Sequence, residues 1–210
     1  MNATRSDTDL LLLQAAAGSD QAMESLFNRH RSRLRRMIAV RMDPRLQMRV
    51  DPSDVVQETL LQANRKISKY LLEKPIAFYP WLRQMAWDQI VAMHRKHLYS
   101  ERRSCRREEE VSVGLSDESV ADLASKFVDK AQGPLNQLVR TEIGERVRQA
   151  IDKLPGIYRE ILVLRYLEQL SIVEAAEVLK IHNSAAKMRH VRAVERLREL
   201  LDQRGDESAS

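Results

Sequence analysis

The chain has 210 residues and a formal charge of +5; 43% of its side chains are hydrophobic, 31% are charged, and it holds six glycines and six prolines. That length suits one ordinary domain or two small ones, and long Leu-, Ala-, Glu-, Arg- and Gln-rich runs with little strand-type alternation indicate a soluble, all-α fold. Cys105 stands alone, which excludes an internal disulfide and points to a reducing compartment.

The first helical block is expected over residues 1–105, with helices near 9–17, 20–40, 52–69 and 80–101. The apolar run at 10–17 is too short to cross a bilayer. It follows Asp7 and Asp9 rather than a basic stretch, so it makes a poor leader, and the expectation is a cytoplasmic protein without membrane contact. Ser19 is a suitable N-cap for the second helix. Asp51-Pro52-Ser53-Asp54 is a stronger start signal: a capping carboxylate, Pro at the first helical position, and acid in the first turn. Along that third helix Val56, Leu60, Ala63 and Ile67 form a narrow apolar stripe. Asp54, Glu58, Leu61 and Arg65 face the other way, with Gln57 beside them, and a leucine among outward charges suits a partner-docking surface or is simply exposed.

In the helix at 80–101, Leu82, Ala86, Gln89 and Met93 share a face. Trp87 and His94 point about 130° away beside Arg83. Aromatic rings among cations suit stacking on unpaired bases, worth about 1–3 kcal/mol per base; packing of Trp87 on a neighbouring helix is the alternative. His94, His97 and Cys105 lack a closing ligand, so no metal is expected.

Residues 106–133 read as a linker: the charge run Arg106-Arg107-Glu108-Glu109-Glu110, then mixed Ser, Asp and Gly, with a short helix conceivable at 120–128. The second block covers 134–203, and 204–210 reads as a disordered tail. Within the second block two short apolar-faced helices precede a tight turn and a long basic helix, the order of a helix-turn-helix. Ser171 and Glu174 form a capping-box pattern, and Lys180-Ile181-His182-Asn183 is the turn. On the last helix Ala186, His190, Ala193 and Leu197 share the inner face. Ser184, Met188, Val191 and Arg192 lie opposite, flanked by Lys187, Arg189, Arg196 and Arg198, an arrangement that offers base contacts bordered by phosphate contacts.

Three basic concentrations stand out: Arg29 to Arg49, Arg95 to Arg107, and the last helix. They suggest a polyanion touched at more than one point, against the alternative of solvated helix faces. No phosphate-binding Gly-rich loop, nucleophile elbow or oriented Cys–His pair occurs, so neither an enzyme, a cofactor nor a small-molecule substrate is expected.

Together these motifs resemble the bacterial sigma factors of the sigma-70 family, in particular the compact extracytoplasmic-function (ECF) type. Asp54-Val55-Val56-Gln57-Glu58-Thr59 is similar to the family's polymerase-docking segment. Trp81-Leu82-Arg83-Gln84-Met85-Ala86, running to His94-Arg95-Lys96, is similar to the helix that binds and opens the promoter minus-10 element. Leu154–Tyr166 and Ala186–Leu197 are similar to the minus-35 reader. The resemblance implies two small helical domains joined by a linker, the second a helix-turn-helix, with core RNA polymerase and promoter DNA as partners; an anti-sigma protein is a further partner that it allows. Carried over by position, Asp54, Gln57, Glu58 and Leu61 would meet polymerase. Lys66, in a loop at 66–75, with Arg83, Trp87, His94, Arg95 and Lys96, would meet the minus-10 element. Ser184, Lys187, Met188, Arg189, Arg192 and Arg196 would meet the minus-35 duplex.

Five departures qualify the match. Lys180 stands where the family's turn has Gly, at a cost of roughly 1 kcal/mol if the backbone is left-handed there. His190 replaces an apolar residue and needs a partner if buried. Asp88 and Ala92 replace the usual Asn and Asp, and Trp87 replaces a basic residue. A stand-alone helix-turn-helix regulator explains the second block equally well but leaves 54–59 and 81–96 without a role.

Overall fold

The computed structural model describes residues 3–98, 117–131 and 137–207, and every regular element among them is helical. The chain divides into two compact units, residues 1–114 and 115–210. Cys105 and the charge run at 106–110 lie outside the described residues.

The first unit holds α1 (Ala3–Ala16), α2 (Asp20–Arg41), the single turn α3 (Pro44–Gln47), α4 (Pro52–Glu73) and α5 (Phe78–Leu98). Side-chain caps fix where the helices begin. The Ser19 hydroxyl accepts from the Ala22 amide at 3.2 Å, and the Asp51 carboxylate accepts from the Ser53 amide at 2.6 Å, which holds its carboxyl below the usual 3.8. Asp43 and Pro44 start α3 in the same way, a turn of four residues too short for helical periodicity to mark. α1 packs on α2 and α4, α2 on α4 and α5, and α4 on α5. Leu26, Leu34, Met37 and Ile38 of α2 meet Leu60, Ala63 and Ile67 of α4 and Leu82, Ala86 and Ile90 of α5 in one core.

Ile67 and Tyr70 continue the buried stripe of α4 past the boundary expected near residue 69, so the helix runs to Glu73. The loop expected at 66–75 is therefore only the connection 74–77, and Lys66 stands on the helix. Lys74 caps α4 at φ 39, and the Tyr70 hydroxyl donates to the Ile76 carbonyl at 3.0 Å, closing the connection.

The second unit holds α6 (Asp117–Ala131), α7 (Gln137–Lys153), α8 (Gly156–Leu162), a π-helical stretch (Val163–Leu167), α9 (Ile172–Leu179) and α10 (Asn183–Glu207). Within the stretch expected to be a linker, α6 contains the short helix expected at 120–128 and extends it at both ends. Val120, Leu123 and Ala124 recur at helical spacing and are buried, and α6 packs on α7 and on the π-helical stretch. α10 also runs through Glu207, into the segment expected to be a disordered tail. Gly205 costs a helix only about 1 kcal/mol and no proline stops it.

Both ends of α9 are closed by local hydrogen bonds. The Glu174 amide donates to Ser171 Oγ at 3.2 Å, and the Ser171 amide donates to Glu174 Oε2 at 2.8 Å, so the capping box is complete. At the other end the Ile181 amide donates to the Ala176 carbonyl at 3.0 Å and the Lys180 amide to Glu177 at 3.2 Å, which is a Schellman motif. That motif forces Lys180 to φ 53, so the turn keeps the left-handed geometry that glycine suits. Lys180→Gly removes the side-chain penalty there and should stabilise the second unit by about 1 kcal/mol in denaturant unfolding; an unchanged or lower midpoint would refute the strain.

Candidate nucleic-acid interface

α10 buries small residues and exposes large polar ones. Ala186 and Ala193 are 0% exposed and Leu197 is buried, so the helix lies close on α7, α8 and α9. The opposite side presents Ser184, Lys187, Met188, Val191, Arg192 and Arg196, with Met188 50% exposed and Arg189 half-buried. Arg196 pairs with Glu199 at 2.6 Å, whereas Lys187, Arg189 and Arg192 make no ion pair among the described residues. Ser184, Met188 and Val191 form a short strip with Lys187, Arg192 and Arg196 along its sides and exposed Glu195 one turn further on, a face that offers base contacts bordered by phosphate contacts. His190 finds the partner its position demands: the Tyr166 ring stacks on it at 5.8 Å, and Tyr166 Oη lies 3.2 Å from Nε2.

α4 has an equally clean division. Val55, Val56, Thr59, Leu60, Ala63 and Ile67 are buried, while Asp54, Gln57, Glu58 and Arg65 are exposed with Leu61, which is 54% accessible. The Thr59 hydroxyl donates to the Val55 carbonyl at 2.7 Å and lies 3.2 Å from Gln89 Oε1 on α5, tying the back of α4 to α5.

α5 departs from the expectation. Arg83 and His94, expected at the minus-10 contact, are each only 6% exposed and lie within the first unit rather than on its surface. Trp87 is half-buried against the core, with the Arg41 guanidinium 5.7 Å from its ring. The packing alternative describes it. The exposed side of α5 is Gln84, Asp88, Ala92, Arg95 and Lys96; of the expected residues only Arg95 and Lys96 belong to it. Gln84, Asp88 and Ala92 recur every four residues, a spacing that marks them as one face. Lys66 is exposed on the solvent side of α4, near the end that leads into α5.

The arginines of α2 do not form one patch. Arg29 pairs with Asp7 at 3.0 Å, Arg33 lies over the Tyr79 ring at 3.8 Å, and Arg35 donates to Ser53 Oγ at 3.2 Å. Arg41 is buried. Sequence clustering thus overstates the charge this helix offers to a polyanion.

Burial holds the His94 imidazole below its ordinary 6.5, against the opposite pull of the Asp43 carboxylate, and its Nε2 accepts from the Asp43 amide at 3.5 Å. The unfolded chain takes up the proton more readily, so this stability is full above the unfolded value and is lost as pH falls through the lower folded one. Wild-type protein should therefore lose stability between about pH 7.5 and about pH 5.5. His94→Gln should show a smaller loss in urea titrations at the two values; an identical loss would clear His94 of the effect.

The chain matches the family model described as sigma-70 region 2 over residues 26–98 and that described as sigma-70 region 4 over residues 144–197. It is 31% identical over 147 residues to the ECF RNA polymerase sigma factor SigM of Bacillus subtilis, covering 70% of this chain and 77% of SigM. The RNA polymerase sigma factor CnrH of Cupriavidus metallidurans is 29% identical over 194 residues, covering 92% of this chain and 93% of CnrH. The solved structure of CnrH in complex with the cytosolic domain of CnrY has the same fold, with a TM-score of 0.52 at 23% identity over 94% of this chain and 98% of that one. With both sigma-70 regions present in order and SigM matched over most of its length, this chain belongs to the ECF RNA polymerase sigma factors of the sigma-70 family.

Proposed function

We propose that this sigma factor binds core RNA polymerase through the outward face of α4 and directs initiation by opening the minus-10 element and reading the minus-35 element. The observation that carries the reading is the face of α10, where Ser184, Met188 and Arg192 project from a helix seated on two alanines. On α4, Asp54, Gln57, Glu58 and Leu61 offer an acidic surface with one apolar anchor, the composition of a docking contact that excludes water around a central leucine. For the minus-10 element the contacts are Lys66, the connection 74–77, and the exposed side of α5, Gln84 to Lys96. Trp87 supports that side from beneath, and Arg83 and His94 hold α5 in the core.

No step requires catalysis by this chain. Each DNA contact is weak alone. Polymerase joins them, so that once one is made the other forms at a high effective concentration. Free protein then binds promoters poorly and holoenzyme binds them well. An anti-sigma protein is the third partner we propose, since the exposed faces of α4 and α10 are surfaces that such a protein would cover; CnrH, with the same fold, was solved in complex with the cytosolic domain of CnrY.

Glu58→Arg reverses an exposed charge without touching the core, and should weaken core polymerase binding by at least about thirtyfold in a pull-down or fluorescence titration while the helical content holds. Unchanged affinity would remove α4 from the docking role. Arg192→Ala should cost about 1–3 kcal/mol of discrimination between minus-35 variants and leave core affinity as it is; normal discrimination in that variant would take Arg192 out of the reading face.

A further inference from the structure

Residues 117–131 lie outside both stretches that the family models match, yet α6 is built into the second unit. Beyond its buried Val120, Leu123 and Ala124, the next apolar position is Phe127, half-buried, with its ring 4.7 Å from that of Tyr166 at an interplanar angle of 54°. Tyr166 belongs to the π-helical stretch, where the Glu168 amide bonds to the Val163 carbonyl five residues back at 3.0 Å. Tyr166 also meets His190 of α10, stacked at 5.8 Å and 29° and within hydrogen-bond distance of its hydroxyl. Three rings therefore connect α6 to the basic helix, and His190 stands between Arg189 and Arg192 in that helix.

The inner face of α10 explains why such a connection matters. Ala186 and Ala193 allow close approach but, in the turns nearest the reading residues, leave only short side chains to hold the helix against rotation about its axis, with Leu197 buried one turn beyond. The His190–Tyr166 hydrogen bond is directional, as methyl contacts are not. At a radius of about 5–6 Å, a rotation of about 20° carries a side-chain tip about 2 Å, beyond what a base contact tolerates.

We propose that Phe127 and Tyr166 are positioning residues that fix the rotation of α10 through His190, which makes α6 part of the promoter-reading unit. The proposal rests on the assignment of α10 to the minus-35 element.

The test uses full-length protein with core RNA polymerase on a template library randomised around the minus-35 position, together with NMR of the His190 ring in the same proteins. Phe127→Ala should flatten the selected minus-35 preference by about fivefold or more, leave core affinity unchanged, and shift the His190 ring resonances. Phe127→Tyr, which restores a ring, should recover the preference. A folded Phe127→Ala protein with wild-type preference and unmoved His190 resonances overturns the proposal. If that variant does not fold, Tyr166→Phe replaces it: the ring stays and the hydroxyl is lost, and full retention of the preference is then the contrary result. Should wild-type holoenzyme select no minus-35 sequence, the assignment of α10 has failed on its own, and the His190 resonances alone decide: moved by Phe127→Ala they sustain the positioning role, unmoved they end it.

Discussion

Which side of each helix is buried decides what the chain can present, and in both units that choice follows from a stripe of apolar residues. On α4 the stripe Val56, Leu60, Ala63 and Ile67 is held against α2 and α5, which leaves Asp54, Glu58 and Leu61 nowhere to point but outward. On α10 the same constraint works through small residues: Ala186 and Ala193 bring the helix close to its neighbours, and the charged side is left for a ligand. Loss of either seating would move every contact on the opposite face at once, since side chains on one helix turn together.

α5 shows how the same constraint misleads a reading of sequence. The stripe drawn through Leu82, Ala86, Gln89 and Met93 is genuine but too narrow, because the helix is buried over a wider arc that includes Met85, Ile90, Arg83 and His94. Polar residues inside a core are invisible to hydropathy, and they sit there because something satisfies them; the amide of Asp43 does so for His94. α6 is legible only as a short helix at 120–128, for a different reason. Its four inward residues are scattered among Asp, Ser and Lys, so the segment looks like linker until α7 and the π-helical stretch offer a surface for it to cover. By contrast the capping signals at Ser19, Asp51 and Ser171 were legible from sequence alone, because each depends on side chains reaching only two or three residues along the chain.

The departures from family pattern become intelligible as local accommodations. Lys180 adopts the left-handed conformation because two Schellman hydrogen bonds close the end of α9, and their gain outweighs a penalty of about 1 kcal/mol. His190 can stand among alanines because Tyr166 offers it a face and a hydroxyl. Arg29, Arg33 and Arg35 of α2 are likewise engaged locally, by an ion pair to Asp7, the ring of Tyr79 and the hydroxyl of Ser53. A formal charge of +5 is therefore a poor guide to where DNA would be met, and the exposed cations of α10 and the end of α5 are a better one.

The most direct measurement of the central claim is transcription by purified core RNA polymerase on genomic fragments, with and without this protein. Initiation at discrete start sites only when the protein is present is the predicted result, and alignment of those sites would give both promoter elements. Absence of core binding and of specific initiation, with a shift of duplex DNA by the protein alone, would contradict the account and leave a stand-alone DNA-binding regulator.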